Sequence, residues 1–517
     1  MPDWGDLQVD QLRFMARDHG AAVAYRDLDA HTSMTFTEWD RRSNQLARAL
    51  VDAGIAPGDR VAIYLPSDEA LRWIVAYAAV HKAGAVVVPT NTRLSIPEVA
   101  TILGHAEASI IITCAALVDT ALAVQAAVPS IQFIVSAGTT PAAPAAPGAA
   151  PEVRDYDSFL ATDSSDIQVP RTLDDLADIM YTSGTTGQPK GVAVRHRNVA
   201  MIPNHEPAWT DGGWIHGAPM FTFAGIAFIY NPMKMGLVGL YLPKFDASRW
   251  FDLVATERPT MAFLVPAMAE LLVAHPRFEE PDLSSLASVS IGSAPLAPQT
   301  LLRLQSRLPN ATVSNSYGMT EAGPAYIVMP KDQVTKRIGS VGKPIGPMQL
   351  KIVREDDTAC DAREVGELLT RMEGAQREYY KDLEATNSTW TADGWLRSGD
   401  LAYLDEDGFL YIAGRKKDMI IRGGHNVYPT DIEAVLLEHP DVQEAAVVGI
   451  PHPVLGEDIS AYVVLRAGAA LDAPTLLAFC SERLADYKRP RELHFSTELP
   501  RNATGKVMKH KLGVGTA

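Results

Sequence analysis

Tyr181-Thr182-Ser183-Gly184-Thr185-Thr186-Gly187-Gln188-Pro189-Lys190-Gly191 follows the apolar stretch Ala177-Asp178-Ile179-Met180. Three glycines let backbone N–H groups approach an anion closely, four hydroxyl side chains add donors, and Lys190 adds a positive charge. A loop of this make-up suits a polyphosphate. It departs from a Walker A loop, because Gly191 rather than Ser or Thr follows Lys190, and Gly187 does not directly precede it. The other reading of the same residues is a Gly/Ser/Thr turn with no ligand.

Upstream, Thr37-x-x-Asp40 has the form of a capping pattern, and Leu46, Ala47, Leu50 and Val51 follow at helical spacing up to Gly54. Residues 60–65, 85–88 and 109–112 read as strands, and 69–82 as a helix between the first two. Such alternation implies βαβ units and a buried parallel sheet. The Pro/Ala-rich stretch 137–151 lacks periodic hydrophobics and reads as a surface linker. Alternation resumes in the last hundred residues, with strands expected at 445–450 and 459–464 and helices at 430–437 and 475–484. These form a separate small α/β domain in this reading.

A chain of 517 residues exceeds what one hydrophobic core usually supports, and 47% hydrophobic with 21% charged residues is an ordinary globular composition. A formal charge of −16 disfavours nonspecific attraction to nucleic acid or anionic membrane, so local groups must hold any phosphate. Cys114, Cys360 and Cys480 are far apart, with neither a paired framework nor metal spacing, which fits a reducing, cytoplasmic setting. The start, Met1-Pro2-Asp3-Trp4-Gly5-Asp6, is acidic and lacks the order of a secretion signal. The apolar segments 74–89 and 263–273 are broken by His81 and Lys82 or by Glu270, so they read as core and no membrane span is expected.

Further motifs follow the phosphate-type loop. They are Gly292-Ser293-Ala294-Pro295-Leu296, Asn315-Ser316-Tyr317-Gly318-Met319-Thr320-Glu321-Ala322-Gly323, Asp393 to Asp400, Gly414-Arg415-Lys416-Lys417, and Pro500 to Val507 with Lys506 after Gly505. From about Thr37 to Lys511 this set and its order resemble the adenylate-forming (ANL) superfamily of acyl-CoA synthetases, firefly luciferase and peptide-synthetase adenylation domains. The resemblance implies an α/β fold with a large multi-subdomain N-terminal domain, residues 1–416, which binds acyl group and ATP. It implies a small α/β C-terminal domain, residues 417–517, which rotates on a hinge at Lys417. The implied activity is that of an acid–thiol ligase using ATP, Mg²⁺ and coenzyme A, with a carrier-protein thiol as the other possible acceptor.

Residue by residue, the resemblance places the phosphates on Thr182, Ser183, Gly184, Thr185, Thr186, Gly187 and Lys190. It makes Gly292, Ser293, Ala294 and Pro295 the adenine turn and lays Tyr317, flanked by Ser316, Gly318 and Met319, against adenine. Thr320 then contacts the α-phosphate, while Glu321, with Thr185, binds magnesium. A carboxylate beside phosphate oxygens does suit that hard cation. Asp400 takes the ribose diol, to which a carboxylate offers two acceptors, and Arg415 contacts ribose and phosphate. Lys506 reaches the substrate carboxylate and α-phosphate, and Gly423 and Gly424 enter for the thioester step. Phe221, Thr222, Phe223, Gly225, Gly292, Ala322 and Gly323 line the acyl pocket.

Three positions depart from the family's pattern. Ser293 stands for a usual Gly and adds only a small side chain, Thr222 for a frequent His, and His425 for a common Glu, replacing an acid by a titratable imidazole. The last two leave open a half-reaction enzyme that makes the CoA thioester from a preformed acyl-AMP. A nonenzymatic nucleotide- or acyl-binding sensor is the third reading. Phe221, Phe223, Ile226, Ala227 and the edge Ala322-Gly323-Pro324 suggest an apolar acyl pocket, and the lack of an evident basic partner argues against a second substrate carboxylate.

Overall fold

The strand Ala108–Cys114 is buried at every position, a pattern that only a sheet covered on both faces produces. It belongs to an eight-stranded sheet in the order Glu378–Tyr379, Lys190–Arg195, Leu176–Thr182, Val86–Pro89, Arg60–Ile63, Ala108–Cys114, Phe133–Ala137, Val153–Asp155. From Leu176–Thr182 onward the pairings are parallel, and the first two strands add antiparallel to that edge. A seven-stranded sheet runs Thr312–Asn315, Ser288–Ile291, Met261–Leu264, Gly212–His216, Leu237–Tyr241, Val23–Asp27, Thr32–Thr35, parallel except for its last pair. The computed structural model describes residues 5–138, 152–182, 190–199, 202–294, 296–324, 326–501 and 506–512. Most of the 137–151 stretch and the loop residues Ser183, Gly184, Thr185, Thr186 and Gly187 lie outside them.

One hydrophobic cluster joins both sheets through the helices Ala70–Lys82 and Phe223–Lys234, gathering Val61, Val87 and Val192 from one sheet and Tyr25 and Tyr241 from the other. Both helices are apolar nearly all round because each is covered by protein on every side. A six-stranded antiparallel sheet holds Leu396–Leu404 beside Leu410–Arg415. Residues 420–496 build a further sheet with its own core around Ile432, Val447, Ile459 and Leu476, covered by the helices Pro429–Leu437 and Ala473–Ser481. The fold is mixed α/β, a large N-terminal part with several sheets followed by a small C-terminal α/β domain.

The parallel expectation holds for the two large sheets and fails for the others, which are almost wholly antiparallel. The helix expected to be capped by Thr37 and Asp40 is Phe36–Asp52, and its cap is Thr35, whose hydroxyl accepts from the Glu38 amide at 3.2 Å while Glu38 accepts from the Thr35 amide at 2.9 Å. Thr35 ends a strand, so its backbone already has the extended shape that an N-cap needs. Asp40 instead faces the fully buried Lys82, whose ammonium donates to it at 2.6 Å and to Asn44 at 2.7 Å. Segments 74–89 and 263–273 contribute to the core, and no described helix is long and apolar enough to cross a membrane.

Lys234 ends the second buried helix with 0% exposure, and its ammonium donates to the Ile202 carbonyl at 2.6 Å. Among the described residues no carboxylate lies within ion-pair distance, and burial pulls its pKa down to about 7. The native protein therefore sheds this proton near neutrality while the unfolded chain keeps it to about 10.5, so stability rises with pH across that window. Lys234→Met keeps the length and removes the charge. It should be more stable than the parent by on the order of 3 kcal/mol near pH 6, with the difference shrinking toward pH 10. Urea unfolding of both proteins at the two pH values checks the sign.

Candidate functional site

The neighbouring parallel strands Ser288–Ile291 and Thr312–Asn315 end side by side, and their carboxyl ends open into 292–294 and 316–319. Carboxyl ends of parallel strands are where α/β sheets bind ligands, because the following turns present free backbone groups there. The Ser316 amide donates to the Ile291 carbonyl at 2.7 Å, and the Ser290 and Ser316 hydroxyls lie 2.6 Å apart. Ser293 is exposed with φ +76°, the left-handed region where a side chain is strained. The departure from glycine at this turn is thus a backbone cost as well as an added hydroxymethyl group. Ala294 is half-buried, and Pro295 lies outside the described residues.

Tyr317 packs its ring against the core of the antiparallel sheet and donates its hydroxyl to Asp400 Oδ2 at 2.6 Å. Asp400 is 5% exposed, and Arg415 Nε holds its other oxygen at 2.8 Å from the directly opposite position on the partner strand. Ser398 braces the turn, accepting from the Asp400 amide at 3.0 Å and donating to the Leu368 carbonyl at 2.6 Å. Burial and the Asp400 charge raise the Tyr317 phenol well above its ordinary pKa, so it stays a neutral donor. Each carboxylate oxygen keeps a lone pair free of these two donors, which suits a diol.

Lys506 comes from the C-terminal domain to this same edge. Burial of its ammonium and then the Arg415 charge lower its pKa, Asp400 and Asp418 oppose that shift, and Lys417 adds to it. Of the residues expected from sequence, Tyr317, Asp400 and Arg415 are in contact, and Lys417 and Lys506 lie within electrostatic reach of them.

A second group lies at the mouth of the phosphate-type loop. Thr182 and Lys190 face each other across the hairpin that carries it. The Lys190 ammonium stands 5.1 Å from the Tyr379 ring centroid, and the Tyr379 hydroxyl donates to Glu321 Oε1 at 3.0 Å. Gly318–Met319 pairs with Gly323–Pro324, so Thr320, Glu321 and Ala322 form the tip of a tight loop. Arg377 holds that loop from below, donating to the Thr320 carbonyl at 2.7 Å and also to the Asn198 carbonyl. No three His, Cys, Asp or Glu side chains converge among the described residues. A hard cation here would meet the Glu321 carboxylate and otherwise oxygens of a bound phosphate, the usual manner of Mg²⁺.

Two residues expected at the acyl pocket, Thr222 and Gly225, have local structural roles. Thr222 caps the helix Phe223–Lys234, its hydroxyl accepting from the Gly225 amide at 3.1 Å and donating to the Pro219 carbonyl at 2.7 Å. A Cβ at Gly225 would stand 2.0 Å from the Pro219 oxygen, so the turn requires glycine. Phe221 and Phe223 are half-buried, and the Arg377 guanidinium lies 5.0 Å from the Phe223 ring and against Gly323. A basic group therefore stands beside the expected acyl edge, contrary to the sequence reading, which could not see a side chain arriving from 54 positions after Gly323. Trp214, His216, Phe228 and Phe263 also form an aromatic wall with centroids 4.5 to 5.1 Å apart. Phe263 would touch a Cβ on Gly292 at 3.5 Å, so the wall backs onto the strand-end turn. Burial pulls the His216 pKa down to about 3, leaving a neutral imidazole.

Gly423 and Gly424, at φ +57° and +84°, make the two-residue turn between Ile420–Arg422 and His425–Val427. Two central residues with positive φ are what a twisted hairpin demands, which accounts for both glycines. His425 stacks on Tyr487 with centroids 4.6 Å apart. Sequence reasoning missed Arg377 and Tyr379, which no local pattern marks: Arg377 precedes the two-residue strand Glu378–Tyr379, and both meet the Thr320–Glu321 loop through long-range contacts.

The strain at residue 293 gives a direct expectation. Ser293→Gly should stabilise the protein by about 1 kcal/mol without weakening its affinity for ATP, as thermal unfolding and calorimetric titration will show.

Residues 12–380 match the family described as AMP-binding enzyme, and residues 431–506 match the AMP-binding enzyme C-terminal domain. A feruloyl-CoA synthase of Amycolatopsis is 35% identical over 498 residues, 95% of each chain. A 2-succinylbenzoate–CoA ligase of Bacillus licheniformis is 31% identical over 99% of each. The crystal structure of an anthranilate CoA ligase with anthranoyl-AMP superimposes with a TM-score of 0.86 at 26% identity, covering 99% of this chain and 97% of that one. The chain belongs to the AMP-binding enzyme family and is an AMP-forming acid–CoA ligase.

Proposed function

We propose that the protein activates a hydrophobic carboxylic acid with ATP, forms the acyl-adenylate, and passes the acyl group to coenzyme A. The observation that carries this reading is Asp400 fixed between Tyr317 and Arg415 with Lys506 on the same edge. In this reading Asp400 accepts the ribose hydroxyls, Tyr317 lies along the adenine, and Arg415 reaches ribose and phosphate. Gly292, Ser293, Ala294, Pro295, Ser316, Gly318 and Met319 line the nucleotide. Thr182, Ser183, Gly184, Thr185, Thr186, Gly187 and Lys190 cradle the phosphates, and Thr320 contacts the α-phosphate.

Carboxylate attack on the α-phosphorus brings anions together, so alignment and charge neutralisation dominate the barrier. Lys506 and Lys190 supply that neutralisation. Glu321, with Thr185, would hold Mg²⁺, which supplies charge withdrawal from the pyrophosphate. Rotation of residues 417–517 against 1–416 about Lys417 then removes Lys506 and brings Gly423 and Gly424 to the thioester step. The aromatic wall of Trp214, His216, Phe228 and Phe263, with Phe221 and Phe223, supports a hydrophobic acid, and feruloyl and anthranoyl groups among the relatives' names agree with an aryl one. The balance of charge and the isolated cysteines support action in the cytoplasm.

The thioester-only reading drew on Thr222 and His425, but Thr222 caps a helix and His425 stacks on Tyr487. Neither arrangement opposes adenylation. Lys506→Ala is expected to lower ATP–pyrophosphate exchange by about 10²- to 10³-fold while formation of CoA ester from synthetic acyl-AMP falls far less. Absence of exchange with every acid, together with rapid ester formation from acyl-AMP, would select the half-reaction enzyme, and ATP binding without any turnover the sensor. A carrier-protein thiol run beside CoA in the same assay decides the acceptor.

A further inference from the structure

Tyr379 lies on the short edge strand Glu378–Tyr379 that pairs with Lys190–Arg195, and Arg377 immediately precedes that strand. Both address the Thr320–Glu321 loop. We infer that Tyr379 is a positioning residue for the adenylation half-reaction, orienting the Glu321 carboxylate through its hydroxyl and the Lys190 ammonium through its ring, with Arg377 as the brace that keeps the loop at that distance. The inference rests on the function proposed above and adds a residue to it.

The setting around the strand is more specific than packing requires. Arg377 is 3% exposed and gives its guanidinium to two backbone carbonyls, Thr320 on one side and Asn198 on the other, with no carboxylate at ion-pair distance among the described residues. An apolar side chain would fill that space without the desolvation cost of a buried cation. Asn198 in turn donates to the Gly374 carbonyl at 2.7 Å, closing a loop of contacts around the strand. On the edge away from Lys190–Arg195, Trp390 donates to the Arg377 carbonyl at 2.9 Å and the Tyr379 amide donates to Thr386 at 2.9 Å, so the segment is held along both edges.

Tyr379 then meets two charges of opposite sign. Its hydroxyl donates to the Glu321 carboxylate at 3.0 Å and its ring faces the Lys190 ammonium at 5.1 Å. A carboxylate held by a neutral donor keeps one orientation, the arrangement by which groups behind a metal ligand set its geometry. A ring face beneath an ammonium restrains a long flexible side chain that would otherwise wander. Burial and Glu321 push the Tyr379 phenol well above its usual range, so the donor persists at neutral pH.

Tyr379→Phe removes the hydroxyl and keeps the ring. It should raise the Mg²⁺ concentration that half-saturates ATP–pyrophosphate exchange by about 10- to 100-fold. Calorimetric binding of α,β-methylene-ATP should weaken in the presence of Mg²⁺ and not in its absence. CoA ester formation from synthetic acyl-AMP, which releases no pyrophosphate, should fall much less. Tyr379→Leu, which also removes the ring from beneath Lys190, should lose exchange rate even at saturating Mg²⁺, and Arg377→Lys should show the same split between half-reactions. An unchanged Mg²⁺ requirement and unchanged analogue binding in Tyr379→Phe would overturn the inference, as would equal loss of both half-reactions with a lowered melting temperature. Should the parent show no exchange with any acid, the functional reading fails, and the analogue titration still decides the role of Tyr379.

Discussion

The carboxylate of Asp400, gripped by a phenol on one oxygen and a guanidinium on the other, ties the architecture together. Tyr317 follows the last strand of a parallel sheet, while Asp400 and Arg415 lie on adjacent strands of the antiparallel sheet. The pair of contacts therefore joins two separately built layers at one point. Neither layer alone offers both an aromatic face and an acceptor for a diol. Because Asp400 is almost wholly withdrawn from water, its direction is set by these two partners rather than by solvent.

The second half of the site follows a different physical logic. Lys190, Glu321 and Tyr379 come from three segments that touch only because an antiparallel edge is added to a parallel sheet. Two opposite charges are spaced by an aromatic ring instead of meeting as an ion pair. Direct pairing would neutralise both and leave little for an incoming phosphate. Separation by a ring leaves the ammonium free to meet an anion and the carboxylate free to meet a cation.

Legibility from sequence was uneven, and the unevenness has causes. The loop from Thr182 to Lys190 and the motif from Ser316 to Gly323 were readable because they are local: their residue types and spacing announce a turn at the end of a strand. The two large sheets were readable from runs such as 108–114, whose continuous burial leaves a continuous apolar string. The helix beginning at Phe36 was found but its cap was misplaced, since Thr35 and Thr37 both head plausible patterns and only the preceding strand decides between them. Thr222 was read as a pocket residue, and its hydroxyl also caps a helix start, a role that the sequence reading did not assign to it. Arg377, Tyr379 and the Trp214 to Phe263 aromatic wall escaped notice because their meaning arises from long-range contacts. A basic or aromatic residue within a polar tract carries no mark of what it will touch once the sheets assemble.

The backing of Phe263 against Gly292 has a consequence for how this enzyme could be retooled. In the proposed reading, a ring on the side that would take the acid also shoulders the turn on which the nucleotide would rest. Reshaping the pocket by enlarging or trimming Phe263 would thus disturb the cosubstrate as well as the acid. Phe228, anchored on a helix and one ring further from that turn, offers the more independent handle for shifting the range of acids accepted.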